Sequence, residues 1–355
     1  MVVIYLGFND PLVYARGVEN VIKCQSRTLT KAYYIYFDET KNKSVARWGN
    51  LITIPVKKTY FWPLSLNFIL VKLYLRNQKS IFIHSHNYLM SFFGVFASDL
   101  LTVHDALSYQ YRMLGRTSLV FSIIEKVVYK KCKKLHFVSN FAKEKAMHTG
   151  VDLPAYVIHN SSVREFYSFK DNKRSKDNFG EKYILVVRSL EYRVGWDVFL
   201  DAAQKVGITN SNIRFLIAGK GPLEKKITRD ISILGLKNVT LLGYVGDDDL
   251  CVLYKNCEFT VTPALHGEGF GLPIIESYYF NKVALASGVC AVPEVIADKR
   301  YLFENTAESM SEKIIDVWCH PSVYYFDAYG HYQKKFGLTR YLQHFRLIYP
   351  NAALR

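Results

Sequence analysis

Short apolar runs alternate with longer helical stretches along nearly all 355 residues, and the alternation runs through twice. The first series of strand candidates is Val2–Leu6, Tyr33–Phe37, Leu51–Pro55, Ile81–His84, Leu101–His104, Leu135–Val138 and Tyr156–Ile158. The second is Ile184–Val187, Ile213–Ala218, Val239–Leu242, Phe259–Thr262 and Val283–Ala286. Between them the pattern predicts helices, among them Val18–Leu29, Leu119–Lys131, Phe141–Met147, Trp196–Lys205, Pro222–Leu234, Asp247–Tyr254 and Pro273–Phe280. Strand, helix and strand repeated in this way make parallel sheets with helices on both faces. The chain is too long for one ordinary core, so the reading is α/β with two doubly wound domains, residues 1–165 and 166–329. Polar Ser168–Gly180 reads as the linker, and 330–355 as a helical segment added after the second sheet is complete. Two such domains in tandem direct their strand C-termini, where ligands bind, toward one cleft.

Composition narrows the class. Half the residues are apolar and 22% charged, which describes a globular chain and excludes a disordered one. The most apolar stretch, 61–75, is interrupted by Pro63, Asn67 and Lys72, so no membrane span is expected. No cationic segment followed by an apolar one opens the chain, so no secretory signal is expected. The six cysteines, at 24, 132, 251, 257, 290 and 319, form neither a disulfide framework nor paired metal spacing, and read as reduced thiols of a cytoplasmic protein. The formal charge is +15 and unevenly placed: residues 1–160 hold 21 Lys and Arg against 9 Asp and Glu, the remainder 25 against 22. Such asymmetry suggests an anionic partner for the first half: a membrane surface, a phosphorylated acceptor or nucleic acid.

The stretch richest in chemistry is 262–276, TPALHGEGFGLPIIE. It follows an apolar strand, carries glycines at 267, 269 and 271, and enters a helix with Pro273 expected at its first position. The N–H groups of Phe270, Gly271 and Leu272 would point along the helix axis, where the dipole favours an anion. Glu268 lies on the loop before this cradle and Glu276 is expected in the first turn after it. Carboxylates accept hydrogen bonds from hydroxyls, so two of them around a phosphate cradle suit a nucleotide-sugar.

Glu268 and Glu276 with GFGLP between resemble the E-x7-E signature of retaining GT-B glycosyltransferases, glycosyltransferase family 4 in particular. The likeness covers nearly the whole chain. It includes 216–222 (LIAGKGP), 242–245 (LGYV), 282–288 (KVALASG), 292–295 (VPEV), 139–141 (SNF) and 157–160 (VIHN). The resemblance implies two Rossmann-like domains, an acceptor-binding first and a nucleotide-sugar-binding second, with a C-terminal helix crossing back to the first. It implies retaining, metal-independent transfer from a nucleoside-diphosphate sugar to a hydroxyl, with no cofactor. Glu268 would position the sugar and Glu276 the ribose. Arg188, after the strand Ile184–Val187, matches a diphosphate-binding Arg, whereas the Lys that follows in the family is Val194 here, with Arg193 or Lys220 as substitutes. Gly17 keeps the second glycine of a G-G-x-E turn whose first is Arg16. His104, in Thr102-Val103-His104-Asp105, matches a His that reaches the donor sugar.

His84 and His86 have H-x-H spacing but no carboxylate or thiol partner, and read as structural. Asp247–Asp249 read as the acidic start of a helix. The basic surplus gathers at 126–134, with five Lys in nine residues, and around 57–76, where Trp62, Phe and Leu residues stand among Lys57, Lys58, Lys72 and Arg76. Aromatics, aliphatics and cations together describe a surface for an anionic leaflet. The expectation is therefore a peripheral membrane enzyme acting on a lipid-linked or surface-glycan acceptor. The alternatives are a catalytically weak homologue serving as a partner subunit, suggested by Val194, and a nucleic-acid-directed transferase or binder, for which no motif speaks.

Overall fold

The computed structural model describes residues 1–11, 17–40, 43–113, 115, 119–147, 150, 152–166 and 182–354. The chain forms two compact units: Met1–Val163 with Leu338–Arg355, and Arg164–Gly337. The expected linker, 168–180, lies outside the described residues.

The first unit holds an eight-stranded sheet. Its strands are β1 Val2–Leu6, β2 Ala32–Asp38, β3 Ala46–Trp48, β4 Leu51–Lys57, β5 Ile81–Ser85, β6 Leu100–Val103, β7 Leu135–Phe137 and β8 Ala155–Val157. They lie in the order β3-β4-β2-β1-β5-β6-β7-β8, parallel except that β3 runs against β4. All five residues of β1 are buried, as expected of a strand covered on both faces. On one face Val2, Ile4 and Leu6 pack with Ile35, Ile83 and the Leu66–Leu70–Leu73 stripe of helix Trp62–Arg76. On the other, Tyr5 meets the C-terminal segment: its hydroxyl lies 2.8 Å from that of Tyr349, and Gln25 donates to the Tyr341 hydroxyl of helix Leu338–Ile348.

The second unit holds six strands: β9 Tyr183–Val187, β10 Arg214–Ala218, β11 Val239–Gly243, β12 Thr260–Thr262, β13 Ala284–Ser287 and β14 Leu302–Phe303. All neighbours are parallel, in the order β11-β10-β9-β12-β13-β14. Trp196, Phe199 and Phe215 stack edge to face beneath it.

Four expectations shift. Strands β3 and β14 add to the expected set; at three and two residues they are too short to show a period. Strand β6 ends at Val103, which leaves His104 on the loop. The second unit begins at Arg164, not 166, because Arg164 is bonded to Asp247 and Glu276. It ends at Gly337, not 329: Tyr332 packs on Tyr279 and donates to Glu165, and Phe336 meets Phe270.

Candidate functional site

In each sheet the order of strands reverses at one point, and a gap opens there between loops that leave in opposite directions. In the second unit the gap lies between β9 and β12. The loops bounding it are 188–195 and 263–271, and they are tied firmly. Leu265 N–H donates to Arg193 O at 2.8 Å, and Arg193 Nη1 donates to Gly267 O at 3.0 Å. The loop after β10 closes against the first: Leu190 N–H donates to Lys220 O, and Leu223 N–H returns a bond to Leu190 O. The approach at 219 requires glycine, because a Cβ there would fall 1.8 Å from Arg188 O.

Arg188 and Glu268 meet across this gap. Arg188 Nη1 donates to Glu268 Oε2, and both side chains are about nine-tenths buried or more. Arg193 Nη1 stands 3.8 Å from the same carboxylate, and Gly271 N–H donates to it. Burial pushes the Glu268 carboxyl up, but Arg188, Arg193 and these hydrogen bonds outweigh burial and hold it below its ordinary value. Among the described residues, Nε and Nη2 of Arg188 are buried and meet no hydrogen-bond acceptor. Helix Leu272–Tyr279 starts beside this pair, with Gly271 at φ +98° turning the chain into it. Pro273 is its second residue. Phe270 carries its side chain into the core against Phe336, so only its backbone belongs to the cradle.

Val194 is buried inside the short turn Tyr192–Val194, at 1% exposure. The position expected to carry a Lys therefore faces the core. Arg193 is the basic side chain at this place, with its guanidinium also on Glu191 Oε2 and Ser189 Oγ. The Lys220 side chain is exposed.

Glu276 lies one residue deeper than expected, as the fifth residue of its helix, just past the first turn. Both carboxylate oxygens are engaged: Oε1 with Arg164 Nε at 3.2 Å, Oε2 with the Tyr254 hydroxyl at 2.9 Å. Arg164 also donates to Asp247, the first residue of helix Asp247–Asn256. Sequence reasoning missed Arg164 and Tyr254, because no local spacing joins either to Glu276.

In the first unit the reversal lies between β1 and β5, and the histidines gather there. His136 Nε2 bonds to Ile158 O at 2.9 Å, and a carbonyl can only accept. His136 is therefore the Nε2–H tautomer, and its bare Nδ1 accepts from Thr102 Oγ1 at 2.9 Å. The Thr102 oxygen in turn accepts from His84 Nε2 at 2.7 Å, and His84 Nδ1 accepts from the Tyr349 hydroxyl at 2.6 Å. His86 Nδ1 lies 2.8 Å from His104 Nε2, and His86 Nε2 lies 3.2 Å from Gln25 Oε1. Burial draws His84 and His86 well below ordinary values; burial and then His136 draw His104 to about 3; burial takes His136 to about 4. The H-x-H pair was the visible signal of this network, and its partners are hydroxyls, a ring and the Gln25 amide. Among the described residues no group of three or more His, Cys, Asp or Glu is placed to hold a metal ion. Gly17 opens helix Gly17–Gln25 and is exposed; Arg16, with 12–15, lies outside the described residues.

The basic stretches divide. Of the five lysines in 126–134, Lys131 is bonded to the carbonyls of Phe92 and Gly94, Lys133 to Asp99 and Lys134 to Ile348 O. Lys126 and Lys130 are exposed beside Ile123 and Val127 of helix Leu119–Lys130. Helix Trp62–Arg76 exposes Leu64, Phe68, Val71 and Leu75 with Lys72 and Arg76. Among the described residues no helix is long and apolar enough to cross a membrane.

Residues 168–322 match the family model described as Glycosyl transferases group 1. Among curated proteins, O-antigen chain mannosyltransferase C of Escherichia coli is 26% identical over 148 residues, 40% of this chain and 38% of that protein. D-rhamnosyltransferase WbpZ of Pseudomonas aeruginosa is 30% identical over 115 residues, 32% of this chain and 29% of that protein. The chain thus spans under two fifths of the length of either relative. The solved structure of Anabaena HepE in complex with UDP and glucose superposes with a TM-score of 0.77 at 15% identity, over 97% of this chain and 98% of that one. The fold is GT-B.

Proposed function

We propose that this chain is a retaining glycosyltransferase that moves a hexose from a nucleoside-diphosphate sugar to a hydroxyl of a lipid-linked or surface-glycan saccharide. One observation carries the reading: Arg188, buried at the reversal point beside a helix N-terminus, with two guanidinium nitrogens that meet no acceptor among the described residues. Leaving a buried charged donor unsatisfied is costly, and a diphosphate supplies oxygens of the right charge. In the reaction the bond from the anomeric carbon to the diphosphate oxygen breaks, and the acceptor oxygen bonds that carbon on the same face. The acceptor's proton passes to the departing diphosphate. Arg188 and the backbone N–H groups at the start of helix Leu272–Tyr279 stabilise the charge that develops there. Glu268, kept ionised by its arginines, accepts hydrogen bonds from hydroxyls of the sugar; Glu276 has lone pairs left for the ribose, and His104 is assigned to the sugar. No step requires a metal.

The relatives' names make mannosyl transfer the first specificity to test. Calorimetry with GDP-mannose, UDP-glucose and ADP-glucose should single out one donor. Arg188→Lys keeps the charge but loses the planar fork, and should weaken that donor's binding roughly 10- to 100-fold, the worth of one charge-assisted hydrogen bond. Unchanged affinity would remove Arg188 from the site. Anomeric NMR of the product reads retention. The exposed apolar and basic residues on helices Trp62–Arg76 and Leu119–Lys130 support an acceptor held at an anionic membrane surface.

A further inference from the structure

We propose that Gln25 and His86 are positioning residues that fix the tautomer of His104, so that His104 offers the sugar a bare Nδ1 and acts as a hydrogen-bond acceptor. The proposal rests on the reading above that His104 meets the sugar, and it names the chemistry of that contact. It starts at the C-terminal helix. Gln25 Nε2 donates to the Tyr341 hydroxyl at 3.1 Å, which turns Gln25 Oε1 toward His86. An amide oxygen only accepts, so His86 carries its proton on Nε2, 3.2 Å away. Its Nδ1 is then bare and accepts from His104 Nε2 at 2.8 Å. The proton of neutral His104 is thereby placed on Nε2, and Nδ1 holds a lone pair.

Gln25 and His86 are buried, while His104, on the loop after β6, is partly exposed. Burial and His136 keep the imidazole neutral across the physiological range. A neutral ring with a bare nitrogen reads O–H donors, and hydroxyls are what a hexose presents. The other histidine chain is set by the Ile158 carbonyl, so its direction is fixed by the main chain. The chain to His104 hangs on one amide: with the Gln25 amide reversed, every proton in it would move, and His104 would present Nδ1–H instead.

The test is long-range 1H–15N correlation on the ligand-free full chain with 15N-labelled histidine. His86→Asn and His104→Asn assign the two rings. The expected result is both rings as the Nε2–H tautomer from pH 6 to 8. Nδ1–H on His104 overturns the proposal, whatever the enzyme's substrate proves to be. Two variants add a functional arm, read with GDP-mannose or UDP-glucose, whichever the protein binds. Gln25→Met keeps length and removes the anchor; it should mix the His104 tautomers and lower turnover roughly 10- to 100-fold, as loss of orienting partners of other functional histidines does, with binding of bare GDP or UDP unchanged. Gln25→Glu keeps an acceptor toward His86 and should lose much less. A purely space-filling Gln25 would rank the two the other way, since a buried carboxylate disturbs packing more than a thioether. Binding of neither nucleotide sugar would count against the proposed function and leave the tautomer result to stand or fall by the NMR.

Discussion

Glu268 and Glu276 differ in what surrounds them, although their spacing treats them as a pair. Glu268 is held by Arg188, Arg193 and a backbone N–H at the reversal point. Glu276 is enclosed by Arg164 and Tyr254. Truncating it leaves the buried Arg164 guanidinium with Asp247 as its remaining carboxylate and the Tyr254 hydroxyl without its acceptor, so Glu276→Ala should destabilise the second unit by about 3 kcal/mol, the lower end for a broken buried pair. Glu276→Gln, which still accepts from Tyr254, should cost clearly less. Urea unfolding separates the two; equal midpoints for Ala and wild type would show the ion pair to be of no consequence. Val194 makes the same point in reverse. At 1% exposure it has no room for an ammonium, so Val194→Lys should lower the thermal midpoint and leave donor affinity no better. Tighter donor binding by that variant would mean the turn 192–194 opens toward the ligand.

At the scale of elements, the alternate residues of β5, β6 and β7 place His84, Thr102 and His136 side by side on one face, where the C-terminal helix covers them. Burial depresses the pKa values of His84 and His136, whereas in the unfolded chain histidines titrate near 6.5. Below that pH the unfolded state binds more protons than the folded one, so stability is fully present above pH 6.5 and falls as pH drops toward the folded values. Each such histidine contributes up to about 1.4 kcal/mol per pH unit in that window. The urea midpoint of the first unit should accordingly fall steeply from pH 6.5 to 5. A flat profile there would mean that the network is already solvated. Sequence reading found the central strands because each is a run of Val, Ile, Leu and Tyr. It found the 262–276 turn because glycines and a proline mark a strand-to-helix corner. It placed Pro273 and Glu276 one step wrong relative to the helix start, since Gly271 had to be seen in its left-handed conformation to fix where the helix begins. The histidine chain was out of reach: its links run between residues as distant as Tyr5 and Tyr349, which no spacing rule connects.

For the whole molecule, the surplus positive charge belongs to the first unit, but only part of it is available. Three of the five lysines in 126–134 are spent on carbonyls and Asp99. Anionic vesicles should still be bound, since each cation near such a surface contributes about 1 kcal/mol and exposed Leu and Phe add to it. Flotation of the full chain should require anionic lipid and weaken with salt. Lys126→Gln with Lys130→Gln, or Leu64→Asn with Phe68→Asn, should each reduce it. Equal recovery with neutral vesicles, or none with anionic ones, would favour a soluble acceptor.

The chain leaves the first unit at Val163 and rejoins it only at Leu338. On the ribosome, Arg164–Gly337 emerges as one uninterrupted piece and has everything it needs to fold. The first unit, although made earlier, must wait with Tyr5, Gln25 and His84 uncovered until Tyr341, Phe345 and Tyr349 arrive. The half of the protein that is translated first is thus the half whose core can be completed only last.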